Sequence, residues 1–252
     1  MMMGFGGSRS LALGAALALS LLASCDSKPA TDASSPKTEL AGIPAPAGTE
    51  WTTTVAATPE GGVRIGNPDA KIKLVEFASL WCPHCGEFNE QAMAILKRDY
   101  IAKGVLSFER RDFILNPVDM AVTLAARCAP PATYFRLVDG LYEQQAVWEQ
   151  AVIGRGEPEL ARIGALPQAD AFMAYIDAAG LGSFFASRGL PRAKLAQCVA
   201  DKGQMDVLSK IAKDAVDKHG LTGTPSFLLN GDTQKDVFSW AALEPKLKAA
   251  VQ

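Results

Sequence analysis

The sequence predicts an α/β fold that is interrupted by an all-helical insertion domain. Segments rich in β-forming residues surround one helix in residues 50–116. Alanine- and leucine-rich segments with helical spacing fill residues 117–204, and β-rich segments return with two helices in residues 205–252. The chain has 252 residues, 48% of them hydrophobic, which suffices for a large core in one or two domains.

The first 24 residues are predicted to be a signal peptide. Residues 11–22 are an apolar run that is too short to cross a bilayer as a mature helix but suits a signal-peptide core. The sequence Leu22-Ala23-Ser24-Cys25 resembles a bacterial lipobox, in which the cysteine is lipidated and becomes the new N-terminus. An ordinary cleaved signal with an incidental Cys25 is the alternative. Asp26 resembles the signal that keeps some lipoproteins on the inner membrane.

Residues 25–49 are predicted to form a flexible tether. The segment is rich in Pro, Ala, Ser and Thr and offers almost nothing to bury. As a coil of about 25 residues it would span roughly 25–30 Å, enough to hold a folded domain clear of a membrane.

The first folded part, residues 50–116, has the pattern of a βαβ unit. Residues 51–57 read as a strand and are followed by two turns, and residues 72–79 read as a strand buried on both faces. A helix is predicted from the cysteine pair Cys82 and Cys85 to about Tyr100, and a strand at residues 105–113.

The last part, residues 205–252, returns to the predicted sheet. A helix at residues 207–218 ends before Gly220, a residue that commonly caps helices. A strand at residues 226–229, the turn pair Asn230-Gly231 and a second strand ending at Phe238 predict a hairpin. Ser239 is the expected N-cap of the final helix.

The formal net charge of the chain is −2, and its pI is about 5.8. There is no basic excess, which disfavours nucleic acid and an anionic membrane surface as partners. The sequence also lacks a phosphate-binding glycine loop.

Cys82 and Cys85, with only Pro83 and His84 between them, allow three interpretations. A structural zinc site needs four ligands, and the chain offers only His219 besides His84 and no second C-x-x-C. A structural staple would close a very small loop, so its effect on chain entropy is small. Redox chemistry fits better, because Cys82 would lie at a helix N-terminus, where N–H groups and the helix dipole stabilise a thiolate.

The neighbours of Cys82 support the redox interpretation. Pro83 falls at the first helical position, where its missing N–H has no cost. His84 is expected to add a donor or a positive charge next to the sulfur of Cys82, and Cys85, one turn on, would resolve the bond. Stabilising the thiolate stabilises the dithiol form, which makes the disulfide more oxidising.

The strand, the CPHC motif, the following helix, a later Thr-Pro before a strand, the helical insert and the exported start resemble the DsbA-like periplasmic thiol:disulfide oxidoreductases, which have a thioredoxin fold. The resemblance covers residues 55–252. It implies that Cys82 is the attacking cysteine, that Cys85 is its buried partner, and that Pro225 is a cis-proline lying against the disulfide. An ordinary trans proline is the alternative for Pro225. A cis bond would leave the Thr224 backbone free to pair with an extended substrate segment.

Glu76, six residues before Cys82, matches a carboxylate that the family places beneath the disulfide to move the proton of the second cysteine. A carboxyl in apolar surroundings has a raised pKa and can act as an acid or a base. The alternative is a glutamate at the strand end that reaches solvent.

Two further predictions concern residues around and beyond the motif. Some of the residues Leu80, Trp81, Phe77 and Phe88 are expected to form an apolar surface for unfolded substrates or a membrane partner, and packing in the core is the alternative for the two phenylalanines. Some family members have a second, structural disulfide in the helical domain, which implies a bond between Cys128 and Cys198. Two free buried thiols are the alternative.

The resemblance implies an oxidase that introduces disulfides into reduced, unfolded exported proteins in the periplasm. It would need no cofactor or metal, would be tethered to the inner membrane and would be recycled by a DsbB-like quinone reductase. Thr224 departs from the valine of the best-known oxidases, which keeps an isomerase or reductase open. A monomer is expected, because dimeric isomerases carry an N-terminal dimerisation domain. A non-catalytic chaperone or binding module is the alternative from another class.

Overall fold

The computed structural model describes residues 41–252. The predicted signal peptide, Cys25 and most of the predicted tether lie outside the described residues. The end of the tether is attached to the fold: the Ile43 N–H donates to the Lys103 carbonyl at 2.8 Å, and the Trp51 indole N–H donates to the Ile43 carbonyl at 2.7 Å. The sequence predicts that the folded part begins at residue 50, but these contacts show that it begins earlier, at Ile43 or before.

A mixed sheet forms the centre of the fold. Its strands are β1 (Val55–Ala57), β2 (Val63–Gly66), β3 (Ile72–Ala78), β4 (Leu106–Asp112), β5 (Ser226–Leu229) and β6 (Asp232–Thr233). Their spatial order is β1-β2-β4-β3-β5-β6. Strand β3 runs parallel to β4 and antiparallel to β5, and all of its residues except Lys73 are buried. Burial on both faces explains its nearly continuous apolar sequence.

The sheet differs from the prediction at its edges. Residues 51–57 were predicted as one strand, but Trp51–Thr53 forms a 3-10 turn, and the strand covers only Val55–Ala57. Strand β2 was not predicted; it is four residues long and pairs antiparallel with β1 and β4. The second hairpin strand is shorter than predicted and covers only Asp232–Thr233.

Three helices flank the sheet. Helix α1 (Pro83–Ile95) continues into a wider turn at Leu96–Ile101 and buries Phe88 and Ala92. Helix α9 (Lys202–His219) begins five residues before the predicted start, because the Asp201 side chain caps it by accepting from the Gln204 N–H. It ends as predicted at Gly220, whose φ is 63°.

Helix α10 (Trp240–Ala250) is capped by Ser239, whose side chain accepts from the Ala242 N–H, as predicted. Together with α1 and α9, it completes the βαβ and αββα parts of the sheet domain.

The all-helical insertion lies between β4 and α9. It consists of α2 (Pro117–Arg127), α3 (Pro131–Glu143), α4 (Gln145–Ile153), α5 (Glu157–Gly164), α6 (Gln168–Ala178), α7 (Gly182–Ala186) and α8 (Arg192–Val199). Helix α2 is its most buried member and carries Val122 and Leu124 in the core. The predicted fold class, an α/β fold with a helical insertion, is confirmed. Within residues 41–252, no helix is long and apolar enough to cross a membrane.

Candidate active site at the Cys82 and Cys85 pair

The turn from β3 into α1 places Cys82 at a helix N-terminus. Cys82 is the N-cap residue, with extended backbone angles (φ −96°, ψ 114°), and Pro83 follows at the first helical position. The backbone N–H groups of Cys85 and Gly86 both donate to the Cys82 carbonyl, at 3.1 and 3.2 Å. This position gives the Cys82 sulfur the positive end of the helix dipole and unpaired N–H groups.

The pKa of Cys82 is lowered to about 5. The largest cause is a hydrogen bond from the Cys85 side chain, and the Thr224 side chain and the backbone N–H groups of Cys85 and His84 add to it. Burial opposes the shift, since Cys82 is only 6% exposed. At neutral pH the reduced protein therefore holds Cys82 as a thiolate.

Cys85 has the opposite character. Its side chain is completely buried, and burial, followed by its hydrogen bond to Cys82, raises its pKa well above the ordinary value. Both cysteines are free thiols in the structure. The pair therefore consists of one ionised sulfur at the helix end and one protonated sulfur beneath it.

The Thr224–Pro225 segment covers the Cys82 sulfur from the neighbouring strand. The peptide bond between these residues is cis. Strand β5 pairs with β3 in the register Phe77 to Ser226, which brings Thr224 against the start of α1. The Cys82 Sγ lies 3.2 Å from the Thr224 carbonyl oxygen, and the buried Thr224 hydroxyl, which has no other partner within residues 41–252, contributes to the low pKa of the thiolate.

Glu76 lies buried in β3 and is 3% exposed, so the alternative of a solvent-exposed glutamate does not hold. Burial raises its pKa to about 7, against the opposing effect of Arg110. Its Oε2 is 3.9 Å from Arg110 Nη1, and its Oε1 has no hydrogen-bond partner among the described residues. The carboxyl is thus able to hold or release a proton near neutral pH, and its charge acts on Cys85.

Arg110 is a site residue that the sequence analysis missed. It is paired with Glu76 across β3 and β4, and it is 2% exposed. Its guanidinium donates to Asp112 at 3.0 Å and to the Tyr142 hydroxyl at 2.7 Å, and that hydroxyl donates to the Ser79 carbonyl at 2.8 Å. The network ties Glu76 to α3 of the helical insertion.

A sequence signal for Arg110 exists. In a strand, alternate residues share a face, so Arg110 and Asp112 lie on the same side of β4 as the buried Phe108. Two charged residues of opposite sign in phase with a buried aromatic residue indicate an internal ion pair.

The aromatic residues around the pair are divided between core and site. Leu80, Phe77 and Phe88 are at most 1% exposed and pack in the core, so they are not available as a substrate surface. Trp81 is half-buried, and its ring lies 5.5 Å from that of Trp148 on α4. Trp81 is therefore the member of this group that remains beside Cys82 with part of its surface exposed.

His84 lies in the motif, but its ring faces solvent. The ring Nδ1 is 3.1 Å from Glu87 Oε2, and this contact raises the pKa of His84. The main contribution of His84 to the Cys82 thiolate is its backbone N–H. Among the described residues the ring makes no hydrogen bond to the Cys82 sulfur, but the charge of Cys82 contributes to the raised pKa of His84, as expected for a positive charge near the sulfur.

Cys128 and Cys198 are not part of this site. They form a disulfide, the pairing that the family resemblance implies, with a Cα–Cα distance of 5.6 Å. The bond joins the end of α2 to α8 within the helical insertion, so the alternative of two free thiols does not hold.

Comparison with known sequences identifies a family and relatives of the chain. A thioredoxin family model matches residues 58–249, which is most of the chain. A protein of Rickettsia bellii with the provisional name protein-disulfide oxidoreductase is 25% identical over 77% of the chain and 66% of its own length. A second one, from Rickettsia felis, is 24% identical over 66% of the chain. The chain thus spans between about half and two thirds of the length of these relatives.

Solved structures extend the comparison. A crystal structure titled protein-disulfide isomerase, from Novosphingobium aromaticivorans, superimposes with a TM-score of 0.72 and 31% identity and covers 75% of this chain and 96% of its own. The alpha-DsbA1 protein of Wolbachia pipientis gives a TM-score of 0.61 with 20% identity over 77% of this chain and 93% of its own, which shows a shared fold. The chain therefore belongs to the thioredoxin family, and it shares the DsbA-like fold of these solved structures.

Proposed function

We propose that the protein is a thiol:disulfide oxidase that introduces disulfide bonds into reduced, unfolded exported proteins. The contrast between Cys82, with a pKa of about 5, and the buried Cys85 carries this proposal. A stabilised Cys82 thiolate stabilises the dithiol form, so the Cys82–Cys85 disulfide is an oxidant for substrate thiols. The same thiolate is a good leaving group, which releases oxidised substrate.

The reaction has two steps. A substrate thiolate attacks Cys82 Sγ, the Cys82–Cys85 bond breaks, and Cys85 leaves with the electron pair. Cys85 then takes a proton, for which Glu76 is the buried donor, because its pKa of about 7 keeps it partly protonated near neutral pH. A second substrate thiolate attacks the substrate sulfur of the mixed disulfide, and Cys82 leaves as a thiolate. Two substrate sulfurs are oxidised, and Cys82 and Cys85 are reduced.

Thr224 and Pro225 are the proposed substrate-binding segment. The Thr224 carbonyl lies 3.2 Å from the Cys82 sulfur, so this carbonyl and its neighbours lie beside any peptide joined to Cys82. An extended substrate segment would pair with this backbone as an added strand, and Trp81 would contact its side chains. This mode reads the backbone and so accepts many sequences.

The proposal includes the cell compartment and the partners. A lipidated Cys25 would anchor the protein on the periplasmic side of the inner membrane, and a DsbB-like quinone reductase would reoxidise Cys82 and Cys85. The lipobox-like sequence before Cys25 and the export signal support this part. Labelling cells with a fatty acid should label the wild-type protein and not Cys25→Ser; equal labelling or none would overturn the anchor.

A disulfide isomerase is the second candidate function. The structural neighbour from Novosphingobium aromaticivorans carries that title, and Thr224 precedes the cis-proline where the best-known oxidases have valine. An isomerase would refold a protein with scrambled disulfides without net oxidation. Comparing that refolding with oxidation of a reduced peptide separates the two functions.

The deciding measurement is the reduction potential of Cys82–Cys85 against glutathione, followed by Trp81 fluorescence. A value near that of DsbA, about −120 mV, supports the oxidase, whereas a value near that of thioredoxin, about −270 mV, indicates a reductase. Cys82→Ser should abolish turnover, and the matched Cys128→Ser should retain it. Full activity of Cys82→Ser would overturn the mechanism. Substrate holding that survives loss of both Cys82 and Cys85 would indicate a chaperone.

A further inference from the structure

Helix α4 of the insertion lies against the turn that holds Cys82. The Gln145 side chain donates to the Leu80 carbonyl at 2.7 Å, and the Trp148 ring contacts the ring of Trp81. Trp148 is itself fixed, because its indole N–H donates to the Leu141 carbonyl at 2.9 Å. One face of α4 is thus attached to the two residues that directly precede Cys82.

Glu149 lies on this same face of α4. It is four residues after Gln145 and next to Trp148, and positions four apart lie one turn above each other on a helix. Glu149 is half-buried, and its Oε1 is inaccessible to solvent and has no hydrogen-bond partner among the described residues. A buried carboxylate oxygen without a partner has a high cost in a structural role, so its position calls for a chemical explanation.

The charged groups around Glu149 link it to Cys82. Burial raises the pKa of Glu149 to about 7, and the next cause is the charge of the Cys82 thiolate, followed by Asp119 on α2. The other charged side chains of the packed helices α1 and α6 are exposed: His84, Glu87, Glu90, Asp170 and Asp177. In the disulfide form Cys82 carries no charge, so Glu149 is more fully ionised when a substrate arrives.

The site needs a base on its outer side. A free thiol has a pKa of about 8.5, so only about 0.3% of it is the reactive thiolate at pH 6. Glu76 lies beneath the pair and is 3% exposed, which suits the proton of Cys85 and not that of an incoming thiol. Glu149 lies on α4 of the insertion domain, next to Trp148, whose ring contacts the half-buried Trp81.

We propose that Glu149 is the general base that takes the proton of the incoming substrate thiol as its sulfur attacks Cys82. This role rests on the proposed thiol–disulfide exchange at Cys82. The substrate S–H bond breaks, and its proton goes to the Glu149 carboxylate. The substrate sulfur bonds to Cys82 Sγ, and the Cys82–Cys85 bond breaks. Cys85 leaves with the electron pair and takes a proton from Glu76, and Glu149 later releases its own proton to solvent.

The test measures the first step alone. Oxidised protein is mixed with a small monothiol, and Trp81 fluorescence follows opening of the Cys82–Cys85 bond, as the mixed disulfide forms, between pH 5 and 9.5. In Glu149→Gln we expect a rate about 10-fold lower at pH 6, and a rate equal to the wild type once the thiol ionises by itself near pH 9.5. Glu143→Gln, an exposed carboxyl at the end of α3, is the matched control and should follow the wild type throughout.

The alternatives predict other profiles. A uniform loss at every pH would indicate a structural role, and an unchanged or faster Glu149→Gln would indicate that the carboxylate only repels thiolates; either result overturns the proposal. If Glu149→Gln does not fold, the wild-type profile decides. A rate that stays high down to about pH 7 supports a base, whereas one that only follows the thiol's own ionisation excludes it. This step is common to oxidases, isomerases and reductases, so its outcome is independent of the reduction potential that tests the proposed function.

Discussion

The protein has two cysteine pairs that differ in their separation along the sequence, their position on helices and their bonding state. Cys82 and Cys85 are three residues apart in sequence, at a helix N-terminus beside buried charged groups, and they are free thiols. Cys128 and Cys198 are 70 residues apart in sequence and form a disulfide between α2 and α8 of the insertion. The first pair closes a loop too small to stabilise the fold by chain entropy, whereas the second closes a large one.

The difference shows which features make a disulfide reactive. A helix terminus, a hydrogen bond from the partner thiol and the Thr224 segment lower the pKa of Cys82. Cys128 is the C-cap residue of α2, at the end of the dipole that disfavours an anion. The same residue type therefore serves exchange in one place and cross-linking in the other, according to its position on a helix and the loop it closes.

The largest effect should come from removing the structural pair. In the double variant Cys128→Ala and Cys198→Ala, the free energy of unfolding should fall by about 4 kcal/mol, since a loop of 70 residues is released. Guanidinium unfolding measures this, and the pKa of Cys82 should not change. The double variant Cys82→Ala and Cys85→Ala is the control and should lose none of this entropic stabilisation. If the double variant keeps the stability of the wild type, or if the pKa of Cys82 changes in it, the two cysteine pairs do not have the separate roles described above.

The next effect concerns the buried carboxyl beneath the reactive pair. The pKa of Glu76 in the fold is about 7, against an unfolded value of about 4.3. Between these values the folded state binds more protons, so stability falls as pH rises and the loss is complete above pH 7. Glu76→Gln should therefore stabilise the reduced protein by roughly 4 kcal/mol at pH 8 and hardly at all at pH 4.

Unfolding at the two pH values tests this prediction, with Glu90→Gln on the exposed face of α1 as its control. An equal gain in the free energy of unfolding at both pH values would mean that the pKa of Glu76 in the folded protein is not near 7. Arg110 keeps Asp112 and Tyr142 as partners in Glu76→Gln, so its burial does not obscure the result.

The reactive pair was predictable from sequence because its signals are local. A buried strand, the CPHC motif and Pro83 at the first helical position lie within fifteen residues of one another, and each constrains the same helix start. The capping residues Ser239 and Gly220 were equally predictable, because each acts through a property of a single residue. The Ser239 side chain caps the start of α10, and the backbone freedom of Gly220 allows α9 to end there. The insertion domain was predictable because apolar residues recur at helical spacing over long stretches of residues 117–204.

The features that sequence analysis missed depend on contacts between distant segments. Strand β2 is four residues long, and its pairing with β4, more than forty residues on, gives it its place in the sheet. Arg110 meets Glu76 through strand register and Tyr142 through the docking of α3. The pairing of the His84 ring with Glu87 was not predictable either, because proximity in sequence to Cys82 does not determine which way an exposed ring points.

A smaller effect should sharpen the contrast within the reactive pair. Because the hydrogen bond from Cys85 is the largest cause of the low pKa of Cys82, Cys85→Ala should raise that pKa. A hydrogen bond to a charged group contributes ~1.5–3 kcal/mol, which corresponds to a rise of about 1–2 pH units. Cys85→Ser keeps a donor and should stay closer to the wild type. Thiolate absorbance as a function of pH measures both, and equal pKa values in the two variants would exclude the hydrogen bond as the cause.

The smallest effect is expected for the histidine of the motif. In His84→Ala the backbone N–H that faces the Cys82 sulfur is retained, and the lost ring was paired with Glu87 in solvent. Exposed pairs contribute ~0–1 kcal/mol, so the pKa of Cys82 should move by less than about half a pH unit. Glu87→Gln, which frees the ring, is the matched control. A rise of more than about one unit in His84→Ala, or a fall in Glu87→Gln, would mean that the ring acts on the sulfur. A negligible change in both would assign the stabilisation of the thiolate to the backbone of the α1 N-terminus, the feature that the Cys128–Cys198 pair lacks.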